Sequence, residues 1–213
     1  MSDSPSVRPF QALIFDCDGT LTDSMEAHYR SWRRALELRG LTLNQDEFYS
    51  RSGTPSSRVI PEIAHREGVE IDFSAALQDK ERFFLAEIKS LKRVDSVAVV
   101  ASICLGQIPM AVASGGTRAL VVAQLEQVEM LDWFDTVVTC EDTERHKPDP
   151  DVFLEAARRL QVAAEDCCVF EDGEPGIEAA EKAGMKCIDV RPYSNGEGIE
   201  QATEEMLSLI ASR

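Results

Sequence analysis

The sequence predicts an α/β fold, a doubly wound parallel sheet broken early by an α-helical insertion. Three observations predict it. Five short apolar or β-branched runs recur along the 213-residue chain, and helical periodicity fills most of the gaps between and after the later ones. The gap after the first run is far longer than a crossover needs. Continuous apolar runs are the pattern of strands covered on both faces, and strand alternating with helix builds a parallel sheet flanked by helices.

The runs extend from Ala12 to Phe15, Met110 to Ala113, Thr136 to Thr139, Cys167 to Phe170 and Lys186 to Val190. Helical spacing is predicted over Thr117 to Met130, Pro150 to Leu160, Pro175 to Ala183 and Ile199 to Ile210. Pro150 and Pro175 suit the first turn of a helix, where a missing N–H is harmless, and Gly184 suits a helix stop. About ninety residues separate the first two runs, where one crossover takes a dozen or more. Residues 25–93 are almost wholly helical in pattern, with helices over Glu26 to Arg39, Ser57 to Glu67 and Ala75 to Leu91. Turn signals part them at Gly40, at 52–55 and at Gly68. The expectation is a core of residues 1–24 and 94–213, with residues 25–93 as a helical cap over the carboxyl end of the first strand.

Composition narrows the function. Against 22 Lys+Arg stand 38 Asp+Glu, a net charge of −16, which opposes nucleic acid or an anionic membrane as partner because both call for a basic face. The charge is uneven. Residues 25–93 hold 12 basic and 11 acidic side chains, while the rest of the chain holds 10 and 27. A near-neutral segment in so acidic a chain suits the handling of an anion, and equally suits ordinary variation among helix faces. No apolar run approaches the ~20 residues of a membrane span, and the opening MSDSPSVRPFQ lacks a signal-peptide pattern. The six cysteines (17, 104, 140, 167, 168, 187) have neither paired CxxC spacing nor the density of a disulfide scaffold. A soluble, cytoplasmic, reduced and monomeric protein is expected.

Ligands of open α/β sheets bind beyond the carboxyl ends of the strands. After the first strand stand Asp16-Cys17-Asp18-Gly19-Thr20, after the second Ser114-Gly115-Gly116-Thr117, and after the fourth Glu171-Asp172-Gly173. His146-Lys147-Pro148 precedes the Pro150 helix. At ~4 Å and an effective dielectric of ~20, each pair of like charges costs roughly 4 kcal/mol. Such crowded acids therefore want a cation. An all-oxygen donor set without His or Cys points to Mg²⁺. Lys147, Ser114 and the amides after it suit the equatorial oxygens of a transferring phosphoryl group. One aspartate can then attack phosphorus and a second can move the proton.

These motifs resemble the haloacid dehalogenase (HAD) superfamily of phosphotransferases, in the subgroup with a helical cap after the first motif. Four motifs fall in order over most of the chain: Asp16-x-Asp18-Gly19-Thr20, Ser114, Lys147 and Glu171-Asp172. The resemblance implies a Rossmann-like core, with Asp16 as nucleophile and Asp18 as general acid and base. It also implies Mg²⁺ on Asp16, the Asp18 carbonyl and Asp172, supported by Glu171 directly or through water. Ser114, Gly115 and Lys147 would hold the phosphoryl group.

In the cap, His28-Tyr29-Arg30-Ser31-Trp32 is similar to a segment of β-phosphoglucomutase and of small sugar-phosphate phosphatases. Arg51-Ser52-Gly53-Thr54-Pro55-Ser56-Ser57-Arg58 aligns with their substrate loop. The mutase pattern has lysine at Ser52 and arginine at Ser56. The run from Gly53 to Arg58 is nearer to fructose-1-phosphate phosphatases. The resemblance makes His28, Trp32, Arg51, Gly53, Arg58 and Lys80 substrate candidates. His28 and Trp32, four apart on one helix face, equally suit plain packing. The implied activity is hydrolysis of a small sugar phosphate. The alternatives are a hexose-phosphate mutase and, from another class, a phospho-receiver module. A receiver would have neither Asp18 nor so large an insertion.

Overall fold

The structure is a computed structural model that describes residues 10–50, 56–194, 196 and 198–211. Its centre is a five-stranded parallel sheet in the order β3-β2-β1-β4-β5. The strands are β1 (Ala12–Phe15), β2 (Met110–Ala113), β3 (Thr136–Val138), β4 (Cys167–Glu171) and β5 (Lys186–Asp189). β1 lies centrally, pairing Leu13 with Met110 on one side and with Cys168 on the other. Its side chains alternate as a pleat requires. Leu13 and Phe15 enter one apolar layer, while Ala12 and Ile14 enter the other. Cys167 and Cys168 likewise pack into opposite layers, both fully buried.

The layers are closed by helices that the sequence pattern largely anticipates. α6 (Arg118–Gln127), α7 (Asp151–Leu160), α8 (Glu174–Lys182) and α9 (Ile199–Ala211) match the expected helices to within a few residues at each end. Pro175 stands in the first turn of α8 as expected, whereas Pro150 precedes α7 as its cap. Two helices are additional to those expected. α2 (Gln45–Ser50) is short, and α5 (Asp95–Cys104) packs on α9 across one face of the sheet.

The helices between β1 and β2 form a separate apolar cluster. α1 (Met25–Glu37), α3 (Ser56–Arg66) and α4 (Phe73–Glu87) bury Trp32, Leu36, Ile60, Ile63 and Ala76 against one another. The chain leaves for this cluster and returns from it on paired linkers. Asp23 N–H donates to the Lys92 carbonyl and Val94 N–H to the Leu21 carbonyl. A smaller cluster of Ala27, Phe84, Leu91 and Leu120 fastens the insertion to α6. Among the described residues, no helix is long and apolar enough to cross a membrane.

Two glycines permit the close packing at the carboxyl edge. Gly19, at φ +84°, turns the chain after β1, and a Cβ there would fall 2.2 Å from an Asp172 carboxylate oxygen. In α8, a Cβ on Gly176 would fall 2.1 Å from the carboxylate of Glu171, the last residue of β4. Glu171 is buried and cannot swing into solvent. Gly176→Ala is therefore expected to destabilise the protein by ~1–3 kcal/mol, the range for overfilling a packed site. Gly115→Ala, with open space around its Cβ, should stay within ~0.5 kcal/mol. Urea unfolding midpoints of the two variants against the parent check both expectations.

Candidate active site

The turn after β1 is knotted by its own backbone. Leu21 and Thr22 N–H both donate to the Cys17 carbonyl, and Gly19 N–H donates to the Thr22 carbonyl. The Thr22 hydroxyl adds a bond to the Cys17 carbonyl and one of 2.8 Å to Oε1 of Gln124 on α6. Asp16 and Asp18 are thereby projected from one rigid turn.

Lys147 reaches this turn from the loop before α7. Its Nζ donates to Asp16 Oδ1 at 2.6 Å and to Glu171 Oε2 at 2.7 Å. The other Glu171 oxygen accepts from Gly173 N–H at 2.9 Å. Asp172 Oδ1 accepts from the Thr20 hydroxyl at 3.1 Å. Ser114, buried at the end of β2, donates its N–H to the Val138 carbonyl, and its Oγ accepts from Gly116 N–H.

The partners of Asp18 stand at the entry to the insertion, one just before α1 and one within it. Asp18 Oδ1 accepts from the Ser24 hydroxyl and bonds His28 Nε2, each at 2.6 Å. The His28 ring stacks on Phe84, with centroids 4.2 Å apart. The Lys80 ammonium lies over that same Phe84 ring, 5.1 Å from its centroid.

Electrostatics follow the packing. Burial, then repulsion from Glu171, pushes the Asp16 carboxyl well above the usual carboxylate range, against the pull of Lys147. Burial and Glu171 push Asp172 up to about 7. Burial also works to raise Asp18, but His28, Ser24 and Lys80 outweigh it and hold that carboxyl below its ordinary range. Burial, aided by the neighbouring Lys80, draws His28 below the usual imidazole range. Lys80 itself is lowered to about 8 by burial, against the attraction of Asp18.

Oxygens of Asp16, Glu171 and Asp172 lie within 4.8 Å of one another. Such a compact, all-carboxylate donor set fits a hard divalent cation. Glu171 already spends one oxygen on Lys147 and the other on a backbone amide, so it also serves as a bridge.

These groups face one cleft of about 430 Å³ between the sheet edge and the insertion. Asp16, Asp18, Ser114, Gly115, Lys147, Glu171 and Asp172, taken from separate stretches of sequence, all line it. His28, Trp32 and Lys80 line it from the insertion, where Trp32 stacks on Phe73 at 6.2 Å. His146 stands at its mouth, exposed.

Arg58 does not join them. Its side chain is 75% exposed and bonds Glu62 one helical turn on, outside the cleft lining. The i,i+4 spacing of the two offers the guanidinium a nearer carboxylate than anything in the cleft. Arg51 and Gly53 lie outside the described residues.

Sequence reasoning missed Ser24 and Glu81, and named Thr20 and Thr117 in their motifs without giving either a role. Ser24 stands at the start of α1, where a hydroxyl ordinarily caps the helix. It makes no such cap and turns to Asp18 instead. Glu81 lines the cleft beside Lys80, and its Oε1 accepts from the Thr117 hydroxyl at 2.9 Å.

Comparison with known proteins agrees with this geometry. The fructose-1-phosphate phosphatase YqaB of Escherichia coli K12 is 36% identical over 183 residues, covering 85% of this chain and 97% of that protein. The β-phosphoglucomutase of Bacillus subtilis 168 is 29% identical over 189 residues, covering 84% and 83%. In fold alone, the crystal structure of β-phosphoglucomutase from Clostridium difficile matches with a TM-score of 0.74 at 20% identity, over 93% of this chain and 99% of that one. The family of haloacid dehalogenase-like hydrolases matches residues 13–190, and the chain belongs to it.

Proposed function

We propose that the protein is a Mg²⁺-dependent phosphatase of small sugar phosphates, working through an aspartyl-phosphate on Asp16. Residues 25–93 act as its cap and residues 1–24 and 94–213 as its catalytic core. The observation that carries the reading is the pairing of two aspartates on one rigid turn, with Lys147 on Asp16 and with Ser24 and His28 on Asp18.

In the first step an Asp16 carboxylate oxygen attacks phosphorus. The bond from phosphorus to the sugar oxygen breaks, and that oxygen takes a proton from Asp18, whose carboxylate, ionised in the free protein, gains it from the ester's phosphate monoanion on binding. In the second step water attacks the phosphorus and gives its proton to Asp18. The bond from phosphorus to Asp16 breaks, inorganic phosphate leaves, and both carboxyl groups are restored. Ser114, Gly115 and Lys147 hold the phosphoryl oxygens throughout. Asp16, Asp172 and the Asp18 carbonyl, with Glu171 beside them, would hold Mg²⁺, which when bound neutralises charge on the phosphoryl oxygens.

The relatives include both a phosphatase and a mutase. Water as acceptor is favoured over a second sugar hydroxyl by the cations of the cleft. A mutase must hold a second phosphate firmly while it shields the aspartyl-phosphate from water. Among the described residues lining the cleft, the Lys and Arg side chains are Lys147 and Lys80. The first is bonded to Asp16 and Glu171, and the second is buried beside Asp18. Arg58 faces away.

Three outcomes follow. Asp16→Asn keeps the shape but removes the attacking anion. Turnover is expected to fall to background with the circular dichroism spectrum unchanged, and robust turnover in that variant excludes the mechanism. Excess chelator is expected to abolish phosphate release and added Mg²⁺ to restore it; full activity in chelator excludes the metal. With fructose 1-phosphate, inorganic phosphate should appear. With β-glucose 1-phosphate and a trace of bisphosphate primer, phosphate release should outpace formation of glucose 6-phosphate. Faster isomerisation than hydrolysis would favour the mutase reading.

A further inference from the structure

The mouth of the cleft holds a carboxylate that the chemistry above does not use. Glu81 projects from α4 one residue beyond Lys80 and lines the cleft opposite the loop that carries Ser114. The Thr117 hydroxyl donates to its Oε1 at 2.9 Å, which fixes the carboxylate across the gap between insertion and core. Its charge also reaches the Cys140 thiol, which lines the cleft beside Gly116 and which burial, Glu141 and Glu81 together push up. The side chain is half-buried, so water screens it only in part. Further into the cap the wall is apolar, built from Trp32, Phe48, Phe73 and Leu77.

In the proposed mechanism the phosphoryl group of a monoester lies at Asp16, and a leaving group that extends toward the insertion comes near Glu81, which lines the same cleft. A leaving group with its own negative charge would meet Glu81. Lys147 is bonded to two carboxylates, and the buried Lys80 is already drawn to both Asp18 and Glu81, so neither is left free to balance a further anion. A neutral polyol meets an acceptor for its hydroxyls at Glu81 and apolar surface for its C–H faces beyond.

We propose that Glu81 is a specificity-determining residue that selects phosphate esters of neutral, hydroxyl-bearing leaving groups over esters that carry a second anion. The inference rests on the phosphatase reading and deepens it. The Thr117 bond is the positioning device, and the charge is the selecting one. The two are separable, because glutamine keeps an oxygen for Thr117 and loses the charge, whereas Thr117→Val keeps the charge and loses the bond.

The test is a matched pair of esters of the same length, glucitol 6-phosphate and 6-phosphogluconate. They differ in a terminal hydroxymethyl against a carboxylate. Phosphate release is measured at low ionic strength, where screening is weakest. The parent should favour glucitol 6-phosphate in kcat/KM. Glu81→Gln should shrink that preference by about tenfold, the order expected when one of two like charges roughly 10 Å apart is removed at intermediate dielectric. Thr117→Val should lower turnover of both esters and leave the preference within about threefold of the parent, since the charge remains. Circular dichroism of each variant confirms that it is folded. A preference unchanged in Glu81→Gln overturns this inference and leaves the phosphatase reading standing. Hydrolysis of neither ester by the parent, nor of fructose 1-phosphate, overturns the phosphatase reading and this inference with it.

Discussion

The carboxyl edge of the sheet depends on one buried cation. Lys147 sits between Asp16 and Glu171, bonded to both, and its side chain is only 11% exposed. Burial alone would lower the affinity of its amine for a proton, but the two carboxylates reverse this and hold it charged. Losing one partner of such a buried set leaves an uncompensated charge, which costs ~3–5 kcal/mol. The loop before α7 is thus tied to β1 and β4 by electrostatics as well as by chain connectivity. The Phe153 ring supports the ammonium from α7, with its centroid 4.8 Å away. Asp16, Glu171 and Lys147 are thus held in one geometry by their own bonds.

A second tie keeps the other strand ends in register with this one. Asp142, on the turn after β3, pairs with Arg118 at the start of α6 and with Arg159 on α7. Burial pushes its carboxyl up, but Arg159, the Thr139 amide and hydroxyl, and Arg118 together bring it down to about 2. Both arginines also donate to the Val137 carbonyl. The loop bearing Ser114 runs directly into α6, so the clamp fixes that loop relative to β3 and α7. Charged groups with several satisfied bonds make such a junction stiff, because no single rotation releases it. The strand-end side of the cleft is therefore held in place without help from the insertion.

Much of this was legible in the sequence, for identifiable reasons. β1, β2 and β4 are largely apolar runs buried along their whole length, with few ways to fold except between helices, and their ends carry polar residues that a core would not otherwise tolerate. Asp16, Ser114, Lys147 and Glu171 are legible as a set because each follows a strand or opens a helix. α5 escaped because Ser96 to Cys104 is uncharged throughout and gives no amphipathic contrast, although its inner face is buried against α9. Arg58 misled because a basic residue in an aligned loop says nothing of the glutamate four positions on. Ser24 hid behind a helix start, where a serine needs no further explanation. Glu81 hid on a helix face that periodicity would hand to solvent, and only the fold brings Thr117 across to meet it.

The division of labour between core and insertion has a physical basis. The core groups hang from strand ends whose positions the sheet fixes, and in the proposed mechanism they would meet the phosphoryl oxygens that every phosphate ester shares. Groups from the insertion bond Asp18 and build the apolar wall of the cleft. His28 of α1, with Ser24 just before that helix, bonds Asp18, and Phe84 of α4 stacks on His28, so the setting of Asp18 depends on how α1 and α4 pack together. That packing meets the core through a small cluster around Leu120 and through paired linkers, not through the sheet. A displacement of the insertion would disturb Asp18 and the leaving-group wall together, while Asp16, Lys147 and Ser114 kept their places. In the proposed mechanism, coupling of that kind would let the fit of the leaving group control proton transfer to it, because both would be read by the same pair of helices.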